Sequence, residues 1–322
     1  MKKLSHKRVE ELLKVLEETK NTHFKDKQHN YPYTEWEHNR IKIKERLSNI
    51  HDYIRQAVEI INLEEQKTGR PPKLDLEQKT NLFILTRLLN KSNRAIEEIL
   101  PFLQPFVVDV ELSYKYIERL YSDPEVKLAL HNVFMLLLKD EKVSGDLAGD
   151  GTGYAVSVEN QHYRSCPEKH GKKFVHFFAL IDIASGLYVG CGVSRISEMD
   201  AYTKAVAMLK RLDISMKSLR LDKYFSCRKI IQQFDRSVSL FLIPKKNLCR
   251  IKTWRDILER ILESPVSFLK QYFKRNLSES CFSADKGRFS SIIKQKRDDR
   301  QQSALFSNTL LHNIFTVRTN PK

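Results

Sequence analysis

Cysteine is scarce: five residues in a chain of 322, at positions 166, 191, 227, 249 and 281. So few, so scattered, exclude a disulfide framework and fit a reducing, cytoplasmic setting. Nowhere does an apolar run approach the ~18–20 residues of a membrane span, so no membrane partner is expected. The first eighteen residues are charged, with neither an apolar core nor a small-residue cleavage site, unlike a secretory leader. Internal repeats and low-complexity tracts are missing too. No Cys or His spacing reads as a zinc site. His162, Cys166 and His170 come nearest, but Pro167 and Gly171 interrupt them, and a basic surface loop is expected there. Acid is in deficit: 40 Asp and Glu face 56 Lys and Arg, a net charge of +16. An excess of that size points to a polyanionic partner, and for such a chain that usually means nucleic acid.

What is present divides near residue 143. Residues 1–67 form a helical N-terminal region, with a long helix expected from Glu35 to Gln66. Along it Ile43, Leu47, Ile50, Ile54, Ala57 and Ile61 alternate in steps of four and three, a coiled-coil seam. The seam is short enough to serve either packing within the chain or dimerisation. Gly69-Arg70-Pro71-Pro72-Lys73 ends that helix in an extended basic segment, with Arg70 and Lys73 suited to a phosphate backbone or a minor groove. Residues 68–142 then read as short helices: Leu76–Leu89, Arg94–Leu100 capped by Ser92 or Asn93, Ser113–Tyr121 after a Pro101/Pro105 loop, and Pro124–Leu138. Their short turns suit a helix-turn-helix DNA reader, with Ser113, Tyr114, Lys115 and Arg119 as candidate contacts. A helical bundle without DNA would look similar.

From 143 to 322 the texture is α/β. Ser144–Val158 is small and β-prone, Lys173–Ile183 and Leu187–Ser194 form a hairpin through Ala184-Ser185-Gly186, and Met199–Leu212 is an amphipathic helix. Lys217–Leu221 is a strand, Phe225–Phe234 a helix, Val238–Ile243 a fifth strand, and the remainder is helical. This order fits a ribonuclease H-like mixed five-stranded sheet with flanking helices, behind an all-α DNA-binding region. A small basic insert of about 245–270 follows the fifth strand.

Two acids end neighbouring central strands in that arrangement, Asp150 among glycines and Asp222 after Leu221. Carboxylates held together repel unless a cation neutralises them, and oxygen donors suit Mg²⁺. Asp182, before the hairpin turn, is expected to cap that turn. Farther on, Tyr272, Arg275, Glu279 and Lys286 are spaced three, four and seven apart. At about 100° per residue they share one ~60° sector of a helix that must continue to Lys286. The plainer reading of this stripe is a solvated face with an Arg275–Glu279 salt bridge. Residues 245–300 carry fifteen Lys and Arg against seven Asp and Glu, so binding to DNA there should depend steeply on salt.

The spacing Tyr-x2-Arg-x3-Glu-x6-Lys resembles the signature of a large group of DDE transposases from prokaryotic insertion sequences. Gly149-Asp150-Gly151-Thr152-Gly153-Tyr154 looks like that group's first-aspartate motif. Leu221-Asp222-Lys223-Tyr224-Phe225-Ser226 is similar to its second, without the usual glycine and with Phe225 for an Asp. Gly69–Leu74 and Leu311-His312-Asn313 also resemble segments of such proteins. The resemblance implies a ribonuclease H-like core with Asp150, Asp222 and Glu279 as catalytic, metal-binding residues. It further implies two Mg²⁺ (or Mn²⁺) ions, with Tyr272, Arg275 and Lys286 gripping DNA. The activity implied is cleavage at terminal inverted repeats and strand transfer on double-stranded DNA, with a homodimer forming on synapsis. Glu279 follows Asp222 by 57 residues, too few for the large all-β insertion of some members. Two alternatives share these features: a domesticated DNA-binding protein with an idle site, and a ribonuclease H-fold nuclease without strand transfer.

Overall fold

The computed structural model describes residues 6–23, 33–61, 72–103, 111–156, 174–245 and 251–316. Arg70 and the segment holding His162, Cys166 and His170 lie outside them. The helical half comprises α1 (His6–His23), α2 (Tyr33–Ser48), α3 (Ile50–Glu59), α4 (Leu76–Leu89), α5 (Asn93–Leu103), α6 (Tyr114–Leu120) and α7 (Pro124–Asp140).

Two expectations are corrected here. The single helix predicted over 35–66 is two, parted at Asn49, whose φ of −89° and ψ of 2° interrupt the helix. Asn competes for backbone hydrogen bonds and is a poor interior residue. Of the predicted seam, Ile50, Ile54 and Ala57 are buried within the chain, where α3 packs on α7. The second correction is Pro101, which lies inside α5 rather than ending it. Its ring removes one intrahelical bond, to the Glu97 carbonyl, and the buried apolar face of Ile96 and Leu100 holds the helix through that loss.

Two of the expected short turns, α4 to α5 and α6 to α7, are present, while the link from α5 to α6 lies largely outside the described residues. Asn90 takes the left-handed conformation (φ 49°) after α4, and Ser92 Oγ then accepts from Ala95 N at 3.2 Å to cap α5. Asp75 and Gln78 form a capping box at the start of α4, and Asp123 with Pro124 opens α7.

The sheet is mixed and five-stranded: β1 (Asp146–Ala155), β2 (Phe174–Asp182), β3 (Tyr188–Ser194), β4 (Ser218–Leu221) and β5 (Ser239–Phe241), ordered β3-β2-β1-β4-β5. β1 runs antiparallel to β2 and parallel to β4, which puts β1 in the middle of the sheet with β4 beside it. Asp182 caps the hairpin as expected. Its buried carboxylate accepts from Ser144 N and Ser185 N at 2.9 Å each, and from both serine hydroxyls.

Helix α8 (Glu198–Arg211) covers β3, where a β-carbon on Gly192 would strike the backbone of Ala201. A 3-10 turn (Lys223–Phe225) and the one-turn α9 (Arg228–Ile231) stand where a helix over 225–234 was expected. The insert is helical in its described part, with α10 (Arg255–Glu263) leading into α11 (Pro265–Tyr272). Then come α12 (Asn276–Phe289) and α13 (Asp298–Phe315).

One buried apolar cluster runs from Val9 to Ile314 and joins the helical half to the sheet. Polar ties reinforce the junction. Arg87 donates to Ser307 Oγ (2.9 Å) and Asn308 Oδ1 (2.6 Å), and Arg46 donates to the carbonyls of Asn313 (2.9 Å) and Thr316 (2.6 Å).

Candidate active site

The ladder itself brings the two aspartates together. Gly149 of β1 is in register with Leu221 of β4, so Asp150 and Asp222 each follow one member of that pair. Asp150 remains in β1, with Oδ1 accepting from Gly151 N at 2.9 Å and its side chain 14% exposed. Asp222 leaves β4 and starts the 3-10 turn.

Arg275 collects the acids. Its Nη1 lies 3.5 Å from Asp150 Oδ2 and 3.2 Å from Glu279 Oε1, and its Nη2 lies 3.5 Å from Asp222 Oδ1. The salt bridge of the plainer reading therefore exists, but the same guanidinium also reaches both strand-end aspartates. Among the described residues no three His, Cys, Asp or Glu side chains stand close enough to share one ion as placed. The acids instead ring a half-buried cation whose buried Nε has no hydrogen-bond partner among the described residues.

The electrostatics follow. Burial pushes the Asp150 carboxyl above the usual carboxylate range; the Gly151 N–H and Arg275 oppose this, while Asp222 and Glu279 add to it. Burial favours the neutral form of Arg275, but the surrounding negative groups, Asp222, Asp150 and Glu279 among them, more than offset that.

The four-residue stripe survives with a changed backbone. The continuous helix expected from Tyr272 is interrupted: α11 ends at Tyr272, residues 273–275 form a 3-10 turn, and α12 begins at Asn276. The dihedrals stay near the helical region through this turn, so the shared face is nearly kept. Tyr272 is only 4% exposed, and its ring lies 5.6 Å from the Arg275 guanidinium. It backs the cation from within. Lys286 points to β1, with Nζ 2.5 Å from Thr152 Oγ1 and 5.2 Å over the Tyr154 ring. Burial lowers the pKa of Lys286.

Two further contacts hold these elements in place. Arg220, buried in β4, donates to Gln271 O (2.9 Å) and Gln271 Oε1 (2.8 Å), pinning α11 against the strand that leads to Asp222. After α12 the chain returns to β1, Ile293 N donating to Ala155 O at 2.8 Å.

Of the N-terminal candidates, Lys115 and Arg119 are exposed one turn apart on α6, and Lys73 is exposed with Nζ 3.2 Å from Glu111 O. Sequence reasoning missed Glu198 at the start of α8. A β-carbon at Gly151 would collide with its carboxylate and come within 2.7 Å of its Cγ. Burial raises the Glu198 pKa, and the charges of Asp150 and Asp222 raise it further. Only its place after Ser197, as a first-turn acid, was visible in the sequence, and that reads as ordinary helix capping.

With three acids from two strands and a late helix gathered on one guanidinium, the chain can be set beside known proteins. It is 50% identical over 317 residues to the probable transposase for insertion sequence element ISA1214 of Archaeoglobus fulgidus, covering 98% of each chain. The chain belongs to this family of insertion-sequence transposases. No family model matches it. Among the described residues of this transposase, no helix is long and apolar enough to cross a membrane.

Proposed function

We propose that this transposase binds the ends of its element as double-stranded DNA, then cuts and joins them by DDE chemistry. Asp150, Asp222 and Glu279 are the catalytic acids. The carrying observation is their convergence on Arg275 from β1, β4 and α12. The strand order β3-β2-β1-β4-β5, with β2 alone antiparallel to the other four strands, supports a ribonuclease H-like core.

The donor set fits a hard divalent cation, since it is all carboxylate and already gathers around a positive charge. Asp150, Asp222 and Glu279 would hold Mg²⁺ or Mn²⁺. Two such ions, when bound, would supply charge stabilisation for the attacking and leaving oxygens of an in-line displacement at phosphorus.

The remaining work falls to the side chains around the acids. Arg275 has two nitrogens facing the acids and a planar fork that matches a phosphate, so it can clamp the scissile phosphodiester beside them. Tyr272 keeps that fork in plane from behind. Lys286, fixed by Thr152 two residues beyond Asp150, presents a second positive charge on the same strand. Lys73, Lys115 and Arg119 lie on the helical half and hold DNA away from the cut, with Arg70 assigned the same role. Because an element has two ends, two copies act together on synapsis.

The test is linear DNA carrying the gene with its native flanks, incubated with protein in Mg²⁺, Mn²⁺ or EDTA, followed by mapping of new 3′ ends. Breaks confined to the element boundaries, and only with a divalent cation, are the expected outcome. Binding without breaks would favour a DNA-binding protein with an idle site, and unplaced nicks would favour a plain nuclease.

A further inference from the structure

We infer that Glu198 supplies a fourth carboxylate to the cation site, beside Asp150. The inference rests on the proposed function, since it gives the same site an additional ligand.

Three features hold this side chain at the site. Ser194 Oγ at the end of β3 accepts from Ile196 N (3.0 Å) and Ser197 N (3.4 Å), fixing the turn out of the sheet. Ser197 then caps α8 through Asp200 N at 3.1 Å, so Glu198 is the first helical residue. Gly192 lets α8 lie directly on β3. Together these features lay the Glu198 carboxylate over Gly151, the residue next to Asp150, where any side chain would displace it.

Its charge environment is unlike that of the other acids. Asp150, Asp222 and Glu279 share Arg275, whereas no ion pair to Glu198 occurs among the described residues. Glu198 is half-buried and faces Asp150 and Asp222, both of its own sign. A carboxylate placed so is unfavourable unless a cation is nearby. Capping the helix dipole does not account for it. Asp200 already supplies a first-turn acid, which pairs with Lys204 at 2.8 Å.

The test uses the full chain as wild type, Glu198→Gln and Asp150→Asn. Mn²⁺ affinity is measured by calorimetry, and melting temperature with and without Mn²⁺. Glu198→Gln should weaken Mn²⁺ binding by about tenfold or more. It should also melt above wild type without Mn²⁺, because a repulsion is removed, and below it when Mn²⁺ is saturating. A merely helix-capping acid predicts a lower melting temperature in both conditions. Glu198→Asp, which keeps the charge but withdraws it by one methylene, should also weaken Mn²⁺ binding and serves if the Gln variant does not fold. Wild-type Mn²⁺ affinity in the Glu198 variants, with binding lost in Asp150→Asn, would overturn the inference and leave the proposed site standing. Unchanged binding in Asp150→Asn would remove the site itself, and this inference with it.

Discussion

Arg275 Nη1 lies 3.5 Å from Asp150 Oδ2, across the gap between the turn that precedes α12 and the central strand of the sheet. That contact makes a remote helix part of the strand-end cluster. The guanidinium is 17% exposed, so its charge is screened little by solvent and acts on every acid that it touches.

Replacing Arg275 should therefore have two separable effects. In Arg275→Ala the three acids lose their shared counter-charge and repel, lowering the melting temperature in metal-free buffer. Added Mn²⁺ should restore much of the loss, while cleavage stays about 10²-fold down for want of a phosphate clamp. Thermal melts with and without Mn²⁺, beside a single-turnover cleavage assay, read both effects. A melting temperature that ignores Mn²⁺ would contradict the first.

Lys286 makes a different demand. Its bond to Thr152 aims an ammonium at the strand that carries Asp150. Lys286→Met keeps the length of the stem and removes the charge. Cleavage should fall by about 10²-fold, with little change in affinity for an end-containing duplex measured by fluorescence anisotropy. An equal loss of affinity and cleavage would instead make Lys286 a general DNA contact.

Much of this site could be read from the chain alone. The strands of the sheet announced themselves because aromatic and β-branched runs such as Phe174–Asp182 are bounded by turn residues, and strand ends are where Asp150 and Asp222 stand. Other features depended on tertiary contacts. Asn49 is only a weak local signal for a break, and the apolar seam that continues across it masks that signal. Pro101 looks like a stop, yet α5 includes it, because the buried Ile96 and Leu100 carry the helix through. Glu198 carries no spacing signal, because its importance comes from Gly151 on a strand 47 residues earlier.

A buried pair supports α12 from behind. His312 Nδ1 stands 2.8 Å from Asp285 Oδ1, Tyr188 donates to Asp285 Oδ2 at 2.6 Å, and the His312 ring stacks on Tyr188 at 3.9 Å. Burial alone would lower the His312 pKa, but its hydrogen bonds to Asp285 and Cys281 and the Asp285 charge raise it from 6.5 to about 9. The protonated histidine therefore stabilises the fold fully below about pH 6.5, and that contribution fades as pH rises through about 9. Melting temperature should fall over this window in wild type and less in His312→Gln. Asp285→Ala, which strands a buried histidine and a tyrosine hydroxyl, should cost about 3–5 kcal/mol by denaturant melt.

DNA held by the helical half should answer to salt. The exposed pair Lys115 and Arg119 on α6 predicts that Lys115→Ala and Arg119→Ala each reduce the slope of log affinity against log salt by about 1. Neither should alter the cleavage rate at saturating DNA. Binding titrations from low to moderate salt decide this, and an unchanged slope would move the DNA surface off α6.

The most direct measurement compares cleavage with DNA affinity in Glu279→Gln. Glu279 is 58% exposed, and among the described residues its one ion pair is to Arg275, so the substitution should leave folding intact. On DNA bearing the native element ends in Mg²⁺, the variant should bind within a few-fold of wild type and release no 3′ ends. Cleavage at the wild-type rate, or binding and cleavage lost in equal measure, would contradict a catalytic role for this carboxylate and for the acid cluster built around it.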